Sequence, residues 1–180
     1  MDFTDNMLIA QIVGYIGLFF GIASYQLKQG KHIIGSQVLM ATLWVMHYYF
    51  MGAYEGAIIG TIAIVRCAIG YFIKEKHLIH LAISTSIASV VLGVWTAASW
   101  LSATATMGSI FNNFSVVARE KTFTLRILQV LGEGMWLIYC SLILSWPCIF
   151  FGTFLITSNI IGAIRHEKDS IKRIFIRRPK

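Results

Sequence analysis

LIHLAISTSIASVVLGVWTAASWLSATATMGSIFNNFSVVA, residues 78–118, contains no Lys, Arg, Asp or Glu and is about twice as long as the roughly 20 apolar residues one membrane helix needs. Broken at Ala97-Ala98-Ser99 it makes two helices, and the charges on either side favour that break. Lys74 and Lys76 precede the stretch, and Arg119 and Lys121 follow it. Basic residues near helix ends gather on the cytoplasmic side of a bilayer. Two crossings return the chain to the side it left, whereas a single crossing would strand one basic cluster on the wrong side.

Working outward from this stretch, the breakers predict helices over 7–27, 32–50, 55–73, 78–97, 99–118, 124–143 and 147–165. Pro147 suits the first turn of the last helix, where a missing N–H costs nothing. Every Lys and Arg except Arg66 then falls on one side, including Lys28, Lys31, Arg126 and the run from Arg165 to Lys180. That side is cytoplasmic, with the acidic N-terminus (Asp2, Asp5) outside and retained. Trp95, Trp100, Trp146, Tyr48, Tyr49 and Tyr54 fall near the outer face, as an interfacial aromatic belt would.

Composition agrees with a bilayer. The chain has 180 residues, 57% hydrophobic and 13% charged, with a mean hydropathy of +0.70. Soluble domains are about 45–50% apolar and about 25% charged. A solvated enzyme, a disordered chain and a disulfide scaffold are therefore excluded. The net charge of +7 implies no nucleic acid, because the basic residues mark one membrane face.

A register shift of 92 positions aligns residues 9–76 with 101–168 without a gap. Gln37-Val38-Leu39 falls on Gln129-Val130-Leu131, Trp44 on Trp136, and Gly60-Thr61 on Gly152-Thr153. Ile69-Gly70 falls on Ile161-Gly162 and Glu75-Lys76 on Glu167-Lys168. The expected fold is an all-α integral membrane bundle of seven helices, built from two parallel three-helix repeats joined by a linker helix (3+1+3). The first repeat covers residues 1–76, the linker 77–98, the second repeat 99–168, and a basic tail 169–180. The linker keeps two repeats with an odd number of spans in one orientation.

Few polar residues interrupt the spans. Arg66 in helix three and Glu133 in helix six lie at similar depth, and charges at membrane depth usually face the interior and pair. An Arg66–Glu133 pair is expected, acting as a latch or as part of a site, with snorkelling of Arg66 as the alternative. Gln129, Glu133 and Trp136 share one helical face, as do Gln37, Ala41 and Trp44. Asn112, Asn113, Ser158 and Asn159 either line an inward-facing cavity with Arg66 or bond helix to helix. His47, with Tyr139 at the matched position, is a proton relay or a hydrogen-bonded interfacial histidine. Gly14, Gly17, Gly21, Gly60 and Gly152 permit close helix contact. Cys67, Cys140 and Cys148 read as packing residues, with a Cys140–Cys148 disulfide left open. No span contains a lysine for a retinal Schiff base, and no GxSxG, HExxH, Walker A or zinc-ligand pattern occurs. The chain is therefore expected to be no enzyme and to need no cofactor or metal.

Tyr25-Gln26-Leu27-Lys28, Met46-His47-Tyr48-Tyr49, Gly52-Ala53-Tyr54-Glu55-Gly56-Ala57 and Arg66 resemble the YgjV-type family of bacterial inner-membrane proteins. The resemblance covers most of the chain, is strongest over 9–76, and implies the bacterial inner membrane as location. A wider similarity is to the fold of SWEET and SemiSWEET sugar transporters and the vitamin-precursor PnuC transporters. Leu43-Trp44 and Met135-Trp136 match the tryptophan near helix two of those repeats. Gly60 and Gly152 stand where those repeats carry a substrate-contacting asparagine, and Tyr25-Gln26 stands where they carry Pro-Gln.

The function expected from these readings is facilitative or ion-coupled transport of a small metabolite. The pathway residues are Trp44, Trp136, Arg66, Glu133, Asn112, Asn159, Gln37 and Gln129. The competing class is a non-transporting structural, sensing or partner-binding membrane subunit. The partners expected are the lipid bilayer and a small-molecule substrate. The sequence names neither the substrate nor the oligomeric state.

Overall fold

The computed structural model describes residues 3–24, 30–96, 100–118 and 121–166. Of the expected break Gln29-Gly30-Lys31, Gln29 lies outside them while Gly30 and Lys31 are already helical; Lys28, the break at Ala97-Ala98-Ser99, the pair Arg119-Glu120, the tail from Glu167 and the side chains of Asp5 and Lys31 also lie outside them. Among the described residues the chain is all-helical. It has seven α-helices: α1 Phe3–Ser24, α2 Gly30–Phe50, α3 Tyr54–Phe72, α4 Leu78–Thr96, α5 Trp100–Val117, α6 Thr122–Leu142 and α7 Trp146–His166. A single 3₁₀ turn, Glu75–His77, leads into α4. Pro147 is the second residue of α7, where its missing N–H is harmless.

Among the described residues, four stretches are long and apolar enough to cross a membrane: Asn6–Ala23, Tyr54–Phe72, Glu75–Thr96 and Trp146–Arg165. The expectation of seven spans is thus met by four on length and composition. The other three helices, α2, α5 and α6, carry Gln37 and His47, Asn112 and Asn113, and Arg126, Gln129 and Glu133. Those side chains lower their mean hydropathy.

Helix α2 packs between α1 and α3, and α6 packs between α5 and α7. Contacts of α3 with α5 and of α1 with α7 close a ring of six helices, while α4 docks outside against α3 and α5. In lipid, such packing relies on close fit and small residues rather than on a hydrophobic drive. The expected glycine stripe on α1 does this. A Cβ at Gly14 would meet His47 Nδ1 at 2.7 Å and Pro147 Cγ at 2.8 Å, and one at Gly21 would meet Phe151 at 2.7 Å. Gly60 and Gly152 face Val45 and Leu137, at 3.1 and 3.6 Å from an added Cβ.

The corner between α2 and α3 and the corner between α6 and α7 are built alike. In the first, the N–H groups of Met51, Gly52 and Ala53 donate to the carbonyls of His47, Tyr49 and Tyr48 at 2.9, 3.0 and 2.9 Å. In the second, Ile143, Leu144 and Ser145 donate to Tyr139, Ser141 and Cys140 at 3.2, 3.4 and 2.9 Å. Gly52 has φ +73° and Leu144 φ +55°, the left-handed conformation that ends a helix and returns its last carbonyls to donors.

The cysteines depart from a simple packing role. Cys140 and Cys148 form a disulfide across the α6–α7 corner, and Cys67 is free. Their spacing of eight spans a turn closed by two helix ends, which brings the two Cα atoms to 5.9 Å. The aromatic belt is also corrected at one position. Trp95, Trp100, Trp146, Tyr49 and Tyr54 are exposed, but Tyr48 is 5% exposed and belongs to the core. It lies one turn beyond Trp44, so the two share the inward face of α2.

Two outcomes follow. A non-glycine residue at the left-handed position costs about 1–2 kcal/mol. Gly52→Leu therefore lowers the thermal midpoint of detergent-purified protein, whereas Leu144→Gly, at an exposed side chain already carrying that strain, holds or raises it. Thiol counting by alkylation and mass spectrometry finds one reactive cysteine in the unfolded, unreduced protein and three after reduction. Three before reduction would disprove the disulfide.

Candidate functional site

The site is assembled by the three polar helices and by α3 and α7. On α6, Gln129, Glu133 and Trp136 project along one face, and on α2 the face is Gln37, Ala41 and Trp44. Helix α3 contributes Arg66 and Cys67, α5 contributes Asn112, and α7 contributes Phe151, Leu155 and Asn159. A wide lobe of about 470 Å³ extends to Tyr71 and Val116, in the last turns of α3 and α5. A deeper lobe of about 160 Å³ reaches Trp44, Tyr48, Trp136 and Cys148. Both lobes are lined by Met40, Arg66, Asn112, Glu133 and Phe151, so they adjoin at these side chains. The wide lobe falls in the size range of small-molecule sites.

All eight side chains expected along a pathway line this cavity. Gln37, Gln129 and Asn159 lie in the wide lobe, Trp44 and Trp136 in the deep one, and Arg66, Asn112 and Glu133 at the junction. Ser158 does not join them. It is exposed on the outer face of α7 beside Phe154 and Ile161, because the adjoining position on a helix is turned by about 100°. Asn159 donates to the Leu155 carbonyl of its own helix at 3.0 Å.

Arg66 and Glu133 meet the same cavity but do not pair directly. Arg66 Nη1 donates to Asn113 Oδ1 at 2.9 Å, and Glu133 Oε1 accepts from Asn112 Nδ2 at 3.1 Å. The adjacent asparagines of α5 diverge around the helix, one toward each charge. Asn113 is fully buried and donates onward to Ser86 of α4 at 3.2 Å, so a chain of hydrogen bonds ties α3 through α5 to α4. Ser89 of α4 and Ser109 of α5 bond one turn away at 2.9 Å. Arg66 Nε and Trp44 Nε1 are buried with no hydrogen-bond partner among the described residues. Among the described residues no three His, Cys, Asp or Glu side chains converge as a metal site would require.

The deep lobe ends against a cluster of aromatic rings. The Tyr48 ring lies between Trp44 and Trp136, with centroids 6.1 and 5.7 Å apart and planes within 29° and 17°. Tyr139 meets Tyr48 and Trp136 edge-on. Its hydroxyl accepts from the Gly56 N–H at 3.1 Å. The Tyr48 hydroxyl lies 3.5 and 3.2 Å from the two disulfide sulfurs. His47, fully buried, bonds the Ala10 carbonyl and Ser145 Oγ, each at 2.6 Å, in keeping with the hydrogen-bonded reading of that residue. Tyr48, Met40, Phe151, Cys67 and Cys148 were not expected at the site. Tyr48 had a signal in the sequence, since it follows Trp44 by four residues and matches Cys140 in the shifted register.

No curated protein and no solved structure matches the chain. Residues 8–170 match a family described as Imp-YgjV, bacterial inner membrane protein, which is nearly the whole chain and agrees with its apolar helices. The chain therefore belongs to the Imp-YgjV family, as a multi-pass protein of the bacterial inner membrane.

Proposed function

We propose that the protein is a carrier for a small metabolite, and that the cavity between α2, α3, α5, α6 and α7 is its pathway. The observation that carries this reading is that two cavity lobes adjoin at the charged side chains. Together their lining extends from the last turns of α3 and α5 past Arg66 and Glu133 to the paired tryptophans. A bundle that needed its charges only as a latch would pack dry around them, as the chain does around His47.

In this reading all seven helices cross the bilayer. Helices α2, α5 and α6 have 21, 18 and 21 residues, about 27–32 Å at 1.5 Å per residue. Each is joined by a short connection to an apolar neighbour along which it packs. Their polar side chains turn to the cavity, so low hydropathy is compatible with spanning. The arrangement is 3+1+3, with α1–α3 and α5–α7 as repeats and α4 as linker. Several pairs 92 positions apart support it: the two corners with matching hydrogen bonds, Gln37 with Gln129, Trp44 with Trp136, and Gly60 with Gly152. His47 of α2 bonds Ser145 at the start of α7, and Tyr139 of α6 bonds Gly56 at the start of α3, a reciprocal exchange across the bundle. The similarity to SWEET and PnuC transporters belongs to this proposal and rests on the three-helix unit and its tryptophan.

The side carrying Lys74, Lys76 and Lys121 is cytoplasmic, and the cavity faces it. The Trp44–Tyr48–Trp136 stack then closes the outer side, and rocking of one three-helix unit against the other would alternate access. The chain has no ATP-binding motif, so movement follows the solute's own gradient or that of a coupled ion. It carries out no chemistry on its cargo.

Cys67, which lines the wide lobe, reports on this directly. A membrane-impermeant maleimide labels it in inside-out vesicles and not in spheroplasts. Labelling only from the outer side would reverse the orientation. Vesicles containing the protein take up at least one solute of a broad metabolite panel, and Arg66→Ala reduces that uptake by about tenfold or more, as expected for loss of a buried charged contact. Wild-type vesicles that take up nothing would favour the non-transporting reading.

A further inference from the structure

The junction of the two lobes has an uncommon donor and acceptor balance. It contains one guanidinium from α3 and one carboxylate from α6, and each hydrogen-bonds an asparagine of α5 rather than the other. Of the five N–H groups of Arg66, one is spent on Asn113, and Nε is buried without a partner among the described residues. Glu133 gives one oxygen to Asn112, and no hydrogen bond within the described residues occupies the other. Beside them the deep lobe is lined by the aromatic side chains of Trp44, Tyr48, Trp136 and Phe151.

We propose that this junction binds a zwitterionic amino acid with a flat apolar side group. Its carboxylate lies on Arg66, its ammonium on the free oxygen of Glu133, and its side group against the aromatic wall. The assignment rests on the carrier reading of the cavity and names its cargo.

Three physical arguments lead to this class. Buried charges are tolerated when hydrogen-bonded and paired. A ligand that brings one charge of each sign completes both at once, with no net charge carried into the membrane interior. A simple anion would suit Arg66 but would leave Glu133 facing a like charge, and a simple cation would do the reverse. A neutral sugar could hydrogen-bond to either group but would neutralise neither. Arg66 and Glu133 make no direct hydrogen bond to each other, so a ligand of this kind reaches both without first breaking an ion pair. Asn112 donates to one carboxylate oxygen, and Asn113 fixes one edge of the guanidinium, leaving its remaining N–H groups for a planar carboxylate.

Titration calorimetry on the full chain in detergent tests this with L-phenylalanine, phenethylamine (no carboxylate), 3-phenylpropionate (no ammonium) and glucose. L-Phenylalanine should bind at least about tenfold more tightly than each of the other three, a margin of about 1.4 kcal/mol. In Arg66→Gln the margin over phenethylamine should fall to within about twofold, while the margin over phenylpropionate persists. In Glu133→Gln the losses should be the opposite way round. Each margin is a ratio measured within one protein, so a uniform loss of stability does not mimic it. Where a glutamine variant fails to fold, the wild-type ratios alone decide. Equal binding of the zwitterion and either single-charge analogue overturns the assignment, as does tighter binding of glucose or no binding of L-phenylalanine. Selective binding without uptake by vesicles would overturn the carrier reading and leave this ligand class standing. Uptake of another solute without L-phenylalanine binding would do the reverse.

Discussion

Tyr48 sits where both halves of the bundle meet. Its ring is stacked between Trp44 of its own helix and Trp136 of α6, and its hydroxyl touches the sulfurs that join α6 to α7. Aromatic pairs at such separations contribute about 0.5–1.5 kcal/mol each beyond their burial. In a bilayer, where apolar surface gains nothing by leaving lipid, that contact energy matters more than it would in water. The stack holds α2 and α6 at one distance near the α2–α3 and α6–α7 corners. Away from those corners no comparable contact among the described residues joins them, and the wide lobe lies there. Glycines on α1 allow the close approach that keeps this end dense, with Gly14 against His47 and Pro147 and Gly21 against Phe151.

The helices divide their work by polarity. The stretches that qualify as spans on hydropathy come from α1, α3, α4 and α7, and the three more polar helices supply most of the polar cavity wall. The outer helix α4 is more than a connector. Its small polar residues are buried against α5, and through Ser86 and Asn113 it fixes the guanidinium of Arg66. The position of the one charged side chain of α3 inside the bundle thus depends on a helix that does not touch the cavity.

Much of this was legible in the residues. Helix boundaries came from breakers and charges, so α2, α3, α6 and α7 lie within two residues of their expected ends. The polar residues inside the spans pointed to one interior surface because lipid leaves them few other places, and Arg66, Glu133, Asn112 and the two glutamines line it. Partners within that surface were less legible. Opposite charges at equal depth implied a direct pair, but each instead hydrogen-bonds one of two neighbouring asparagines, which can donate and accept at once. Tyr48 was assigned to the interface because tyrosine is common there; only the i, i+4 relation to Trp44 marked it as internal. The disulfide depends on how far a turn brings two helix ends together, which spacing alone does not reveal.

The two like corners differ in one covalent respect. At the α6–α7 corner a sulfur–sulfur bond clasps the end of one helix to the start of the next, while the α2–α3 corner is held by hydrogen bonds around a glycine. A clasped corner and a hinged one do not yield equally to the same force. Any swing of α3 and Arg66 relative to α2 meets a softer joint than a swing of α7 relative to α6. The two corners are therefore unequal in compliance, and the α2–α3 corner is the less constrained by covalent bonds.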